Sequence, residues 1–188
     1  MPAGVAVTRR RALVVLGSAP LAAVARRGDA LPPELLGTLP QAQLLGEATL
    51  RYLGWQVYDI RLWADGPRAL DRPEAARLAL ELRYARALDG SAIAERSLQE
   101  MQGIGPVSRD QGERWLAALR GIFPDVDKGD RITGLQLPGE GTRFWVNGRS
   151  AGELRDAEFT RLFFGIWLSP RTSQPRLREA LLGKAASS

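Results

Sequence analysis

The chain has no cysteine and no histidine, and only two lysines and two methionines among its 188 residues. Without thiols or imidazoles it carries no disulfide, no cysteine nucleophile, no zinc site built on Cys or His, and no Ser-His-Asp triad. Any catalysis would fall to carboxylates, tyrosine, arginine, hydroxyls or the backbone. The lack of cysteine does not place the protein in a reducing compartment, because an oxidising one permits disulfides without requiring them. No run approaches 18 consecutive apolar residues, so no segment has the length of a spanning helix. Internal repeats are absent too, and Gly139 and Gly141 are not followed by the Lys-Ser/Thr of a phosphate loop. They belong to a turn, and no cofactor is expected.

What is present is 45% hydrophobic and 25% charged, the profile of one ordinary globular domain. The formal charge is +5, from 26 basic and 21 acidic residues. Arg9, Arg10 and Arg11 lie in the first 25 residues, which hold no acid, and the rest of the chain balances at 23 to 21. A near-neutral domain offers no electrostatic footprint for nucleic acid, and none is expected as a partner. Residues 1–25 have the layout of a secretory signal peptide: a basic start ending at Arg11, an apolar run from Ala12 to Ala22, and a small-x-small site at Ala23-Val24-Ala25. The paired arginines also fit a twin-arginine export signal. The expectation is a periplasmic or otherwise exported bacterial product with no stable membrane span once the signal is removed; Arg26-Arg27 close the apolar run.

Residues 26–42 form a Pro-containing lead, 43–183 a single domain and 184–188 a tail. Within the domain, 43–63 is strand-like, rich in Leu, Tyr, Trp, Val and Ile, and divided or bent at Gly54. Tyr58, Ile60 and Leu62 alternate with Val57, Asp59, Arg61 and Trp63, so both faces of this strand are partly covered. Leu78, Leu80, Leu82 and Tyr84 alternate with Arg77, Ala79, Glu81 and Arg83, a strand with one wet or polar face. The period then turns helical from Ala92 to Gln102, behind a cap at Asp89 or Ser91. A second helix opens on the capping box of Ser108 and Gln111 and stops at Pro124. Strands at 131–137, 142–147 and 149–154 follow, the last two joined by the hairpin pair Asn147-Gly148. Asp156 caps a helix whose face is Phe159, Leu162, Phe163, Ile166 and Trp167, and Ser173 with Pro175 starts a final short helix ending at Gly183. Strands and helices thus come in blocks, which is α+β: a mainly antiparallel sheet with helices packed on one face.

Few residues point to chemistry. Asp125, Asp127 and Asp130 gather three carboxylates within six residues, but without the bidentate Glu and the glycine register of a calcium loop they read as a solvated turn, and no metal is expected. Glu95 and Arg96 could place a charge pair at a cleft edge. Tyr52, Trp55, Tyr58, Trp63 and Tyr84 concentrate aromatic surface on the first three strands, as core or as the wall of an apolar cleft.

The stretch from Gly46 to Tyr58, with its Leu53-Gly54 and Gln56-Val57-Tyr58, and the stretch from Phe163 to Pro170 together resemble the chalcone isomerase-like family, closest to its bacterial exported branch. The resemblance covers 43–183 and implies an open-faced β-sandwich, a large antiparallel sheet with helices over one side. It also implies that an isomerase would carry a catalytic arginine on an early strand, a threonine on the next, and a tyrosine and asparagine over the cleft. Matching through Leu53-Gly54 and Val57-Tyr58 puts Ala48 at the arginine position and Leu53 at the threonine position, with Arg51 nearby on the other strand register. The helix from Ala92 to Gln102 supplies neither Tyr nor Asn. Without the cation that stabilises developing negative charge, cyclisation by the family's mechanism is not expected, and no catalytic residue is assigned. The resemblance implies instead a binder of a small hydrophobic ligand such as a fatty acid, with Leu53 and Tyr58 on the sheet wall of the cleft and Arg96 as the carboxylate partner. The alternatives are an isomerase or intramolecular lyase using Tyr58, Glu95 or Arg51 in new roles, and a structural partner in an envelope complex.

Overall fold

A computed structural model of the chain describes residues 30–66 and 69–183. The signal peptide expected at 1–25 and the tail at 184–188 lie outside the described residues. Six strands, β1 (Ala42–Tyr52), β2 (Trp55–Asp65), β3 (Leu78–Tyr84), β4 (Arg131–Leu137), β5 (Gly141–Val146) and β6 (Arg149–Leu154), form one antiparallel sheet in chain order. Helices α1 (Gly90–Ile104) and α2 (Arg109–Ile122) lie between β3 and β4, and α3 (Ala157–Leu168) and α4 (Pro175–Leu181) follow β6. This is the α+β block order read from the sequence.

Side-chain alternation decides what each sheet face does. Register places Tyr58 opposite Tyr84, Ile60 opposite Leu82, and Leu62 opposite Leu80, all on the face that meets the helices. On that face Leu80 and Leu82 pair with Gly134 and Ile132 of β4, and Gly134 with Phe144 of β5. An apolar row therefore crosses the central strands, and the helices bury it.

Helices α1, α2 and α3 begin where the chain supplies oxygen caps. Asp89 accepts from the Ala92 amide at 2.8 Å, and Ser108 and Gln111 form the reciprocal box expected. Asp156 accepts from the Glu158 and Phe159 amides and from the Trp115 indole at 2.9 Å, so one carboxylate both caps α3 and ties it to α2. Phe159 and Phe163 of α3 stack at 5.4 Å, and Phe163 meets Phe144 edge-on at 5.3 Å. The last helix starts after Gln174, one residue later than Ser173, with Pro175 in its first turn and no side-chain cap. It packs so closely on β1 that a Cβ at Gly46 would overlap the Ala180 carbonyl.

The opposite face, expected to be wet or polar, is covered at its middle, while Arg77 and Arg83 at its two ends stay exposed. On it Ala79 is fully buried and Glu81 is 4% exposed. The covering layer is the Pro-containing lead: a short 3-10 turn at Pro33–Leu35 drives Leu35 and Leu39 onto Trp63, Ala79, Leu135 and Leu137. The Pro-containing lead is thus the lid of a second, smaller core. It also delivers a charge, since Glu34 accepts from Arg131 Nη2 at 2.9 Å and from Thr133 Oγ1 at 2.7 Å. Arg131 and Arg61 each approach Glu81, at 3.7 and 3.6 Å, and Arg61 approaches Glu47 at 3.7 Å. The strand face is polar as expected, but its charges neutralise one another under cover. Glu34→Ala should cost about 2–4 kcal/mol, because it leaves the Arg131 guanidinium facing Glu81 alone with the hydroxyl of Thr133 unpaired. Urea denaturation should show a lowered midpoint with an unchanged slope.

Candidate functional site

The site begins with the β1–β2 hairpin. Leu53 and Gly54 are its two turn residues, with φ of +49° and +84°, the left-handed pair that matches the twist of the flanking strands. Leu53 is therefore 82% exposed at the hairpin tip. The expectation that it stands on the sheet wall is corrected: a turn residue at positive φ points its side chain away from the strand faces.

A register shift between Leu50 and Arg51 is the second local feature. Leu50 pairs with Tyr58 but Arg51 pairs with Gln56, leaving Val57 without a partner. The bulge re-aims the end of β1, so Leu50, Arg51 and Tyr52 all border the same cavity. Regular alternation would put Arg51 on the far face, as the sequence reading assumed; the irregularity brings it back. Ala48 stays on the helix side opposite Ile60, partly buried against the core.

The cavity lies between the helix-facing side of the sheet and α1 and α3, with a volume of about 410 Å³, inside the about 300–1,000 Å³ range of small-molecule sites. Leu80, Leu82, Ile132 and Phe144 line it from the strands, and Phe163 and Ile166 from α3. Gly134 adds no side chain between Leu80 and Phe144, which helps leave the space open.

Polar groups are few and localised. Inside, Tyr58 accepts a hydrogen bond from the Trp167 indole at 3.0 Å and meets Tyr84 edge-on at 6.0 Å. Burial pushes the Tyr58 hydroxyl up to about 12, against the opposing pull of the Trp167 hydrogen bond. Burial raises Tyr84 as well, with the neighbouring Tyr58 adding to the effect. Both phenols are hydrogen-bonding groups at neutral pH and neither is a ready base.

Arg51, Arg86 and Arg96 border the cavity with exposed side chains, against one carboxylate, Glu100. Arg96 hydrogen-bonds Glu100 one turn along α1 and Gln99 at 3.0 Å. Tyr58 and Arg96, two of the three ligand-contacting residues expected, are thus brought to one cleft, and Leu53 is not. Glu95 is outside it, paired with Arg120 of α2 at 2.6 Å. Asp125 accepts from the Gly90 amide, and Asp130 accepts from the Asp127 amide and Asn147, so this cluster serves turns. Among the described residues no three acidic side chains converge. Sequence reasoning took Tyr84 as wall or core and did not foresee Arg86, which lies just past the end of β3 with no pattern to flag it.

A family model described as chalcone isomerase-like matches residues 61–183. An uncharacterized protein of Haemophilus influenzae is 28% identical over 147 residues, covering 77% of this chain and 70% of that protein. The crystal structure of a fatty-acid binding protein of Arabidopsis thaliana superposes with a TM-score of 0.62 at 15% identity, over 78% of this chain and 89% of that one. At that identity the likeness is one of fold.

The raised tyrosines carry a stability signature. Unfolded tyrosines ionise near 10, whereas folded Tyr58 keeps its proton to about 12. The folded form thus binds the extra proton between these values, and stability should hold below about pH 10 and fall as pH rises toward 12. Tyr58→Phe should flatten part of that fall, measured as the urea midpoint against pH.

Proposed function

Because this chain belongs to the chalcone isomerase-like family, we propose that it is a non-catalytic member that binds a small hydrophobic ligand with an anionic end, a fatty acid being the type. The observation that carries this reading is the cleft itself: an apolar interior between sheet and helices with cations gathered at its border. Such a site buries an alkyl chain by the hydrophobic effect and leaves a carboxylate beside Arg96, Arg51 or Arg86. Tyr58 and Tyr84, kept protonated by burial, add hydroxyl groups without adding charge. The fatty-acid binding protein of similar fold supports the reading by analogy.

Export belongs to the same proposal. Residues 1–25 would direct the protein to the periplasm and be removed there, and N-terminal sequencing of protein recovered from a periplasmic fraction tests it. A second reading, an isomerase or intramolecular lyase with a rearranged site, is favoured by one observation: the bulge brings Arg51 to the cavity that Tyr58 lines. A cation and a protonated phenol at one site could stabilise an enolate.

Native mass spectrometry before and after organic extraction separates these readings, a discrete adduct lost on extraction being the expected result. Leu50→Trp, which fills the cleft from a partly buried strand position, should abolish uptake of palmitate while leaving the circular dichroism unchanged. Arg96→Gln should weaken palmitate roughly three- to tenfold and leave hexadecanol unaffected, since only the acid presents a charge to the partly exposed guanidinium. An apo mass from folded protein, with turnover of a Michael-acceptor phenol that Arg51→Ala removes, would favour the enzyme.

A further inference from the structure

The hairpin tip is costly to the fold and gives it nothing in return. Tyr52, Leu53 and Trp55 are 69%, 82% and 71% exposed, three of the four large hydrophobic residues standing out from the described surface. Leu53 also occupies positive φ, which penalises a residue with a bulky side chain. The same sheet makes its other two-residue left-handed turn with Asn147-Gly148, the polar pair that suits that conformation. Leu53 therefore meets neither a backbone requirement nor a packing one.

Its position gives it a use. Tyr52 and Arg51, at the base of the tip, border the cavity, as do Arg86 and Arg96. Charged groups bordering the cavity number three arginines to one glutamate, and that glutamate is already held by Arg96. Trp, Tyr and Leu on a projecting turn beside exposed arginines is the chemistry of a membrane interface: aromatic rings lodge at headgroup depth and guanidinium groups meet lipid phosphates.

We propose that the β1–β2 tip is a docking element for an anionic bilayer surface, inserting Leu53 and Trp55 while the arginines contact lipid headgroups. Docked this way, the border of the cavity that includes Tyr52 and Arg51 lies against the membrane, so a lipophilic ligand can pass between bilayer and cleft with little exposure to water. This last step rests on the binding reading above; the docking itself does not.

The test uses tryptophan as a local depth gauge. Of the five tryptophans, Trp63, Trp115 and Trp167 are buried and Trp145 is partly covered against the back-face core, leaving Trp55 in the open. Residues 1–30 contain no tryptophan, so membrane contact by that segment is silent in this measurement. The full chain is mixed at low salt with vesicles of brominated phosphatidylcholine, with or without phosphatidylglycerol.

Quenching of emission by the anionic vesicles is expected, with little by the neutral ones. Trp55→Leu should lose the quenching, and Leu53→Asp, with Trp55 in place, should need about tenfold more lipid or beyond for the same effect. No quenching of the wild type, equal quenching in Trp55→Leu, or equal quenching by neutral vesicles overturns the proposal. A blue shift that follows protein concentration without lipid, with a matching increase in mass, assigns the tip to a second copy and also overturns it. Palmitate uptake measured in parallel keeps the two readings apart: insertion without uptake removes the ligand reading alone, and uptake without insertion removes the docking alone.

Discussion

A wide antiparallel sheet has two faces, and this structure follows from covering both with a chain that has one set of helices. Along β2 and β3 the alternating residues divide into an apolar set, Ile60, Leu62, Leu80 and Leu82, and a set containing Arg61, Glu81 and Trp63. The first set is met by helices and encloses a core with a cavity. The second cannot be met the same way because its charges need partners, and the lead segment brings one carboxylate and two leucines to it. That division frees the helix side to remain incompletely filled. The sheet is held by register and by the back-face pairs as well as by helix packing, so the cavity need not collapse to stabilise it.

The cleft owes its character to departures from regularity at one end of the sheet. Regular pairing to the end of β1 would turn Arg51 to the back face, leaving Arg86 and Arg96 as the cations bordering the cavity. The bulge changes that assignment by a shift of one residue. Burial then sets the protonation of the two phenols within. A site with protonated hydroxyls deep inside and guanidinium groups at the border suits a ligand that is apolar along its length and charged at one end.

Much of this was legible in the residues themselves. The Asn147-Gly148 turn, the capping box of Ser108 and Gln111, the Asp156 cap and the alternation from Leu78 to Tyr84 follow from local rules that tertiary packing did not override. The Leu53-Gly54 turn is harder, because leucine is a poor signal for positive φ and the family resemblance points Leu53 to the wall. The bulge at Leu50 and Arg51 has no residue type in the sequence that signals it. The role of the lead was hidden for another reason: a Pro-containing stretch with Pro32, Pro33 and Pro40 has no periodicity to say what it packs on, and only the opposite face of the sheet shows what Leu35 and Leu39 contact.

The strands lie in the sheet in the order in which they occur in the chain, and this bears on how the molecule comes together. Five neighbouring pairs form the sheet, and four of them close through connections of a dozen residues or fewer. Only β3 and β4 must find each other across a long excursion, the segment that carries α1 and α2. Loop closure costs grow slowly with length, so the search reduces to docking two locally formed three-stranded meanders. The hydrogen bond from Trp115 to Asp156 ties the excursion to the segment that follows the second meander. The slow step in assembly and the enclosure of the cavity would then be one event, since β3 and β4 supply Leu82 and Ile132 as facing parts of its floor.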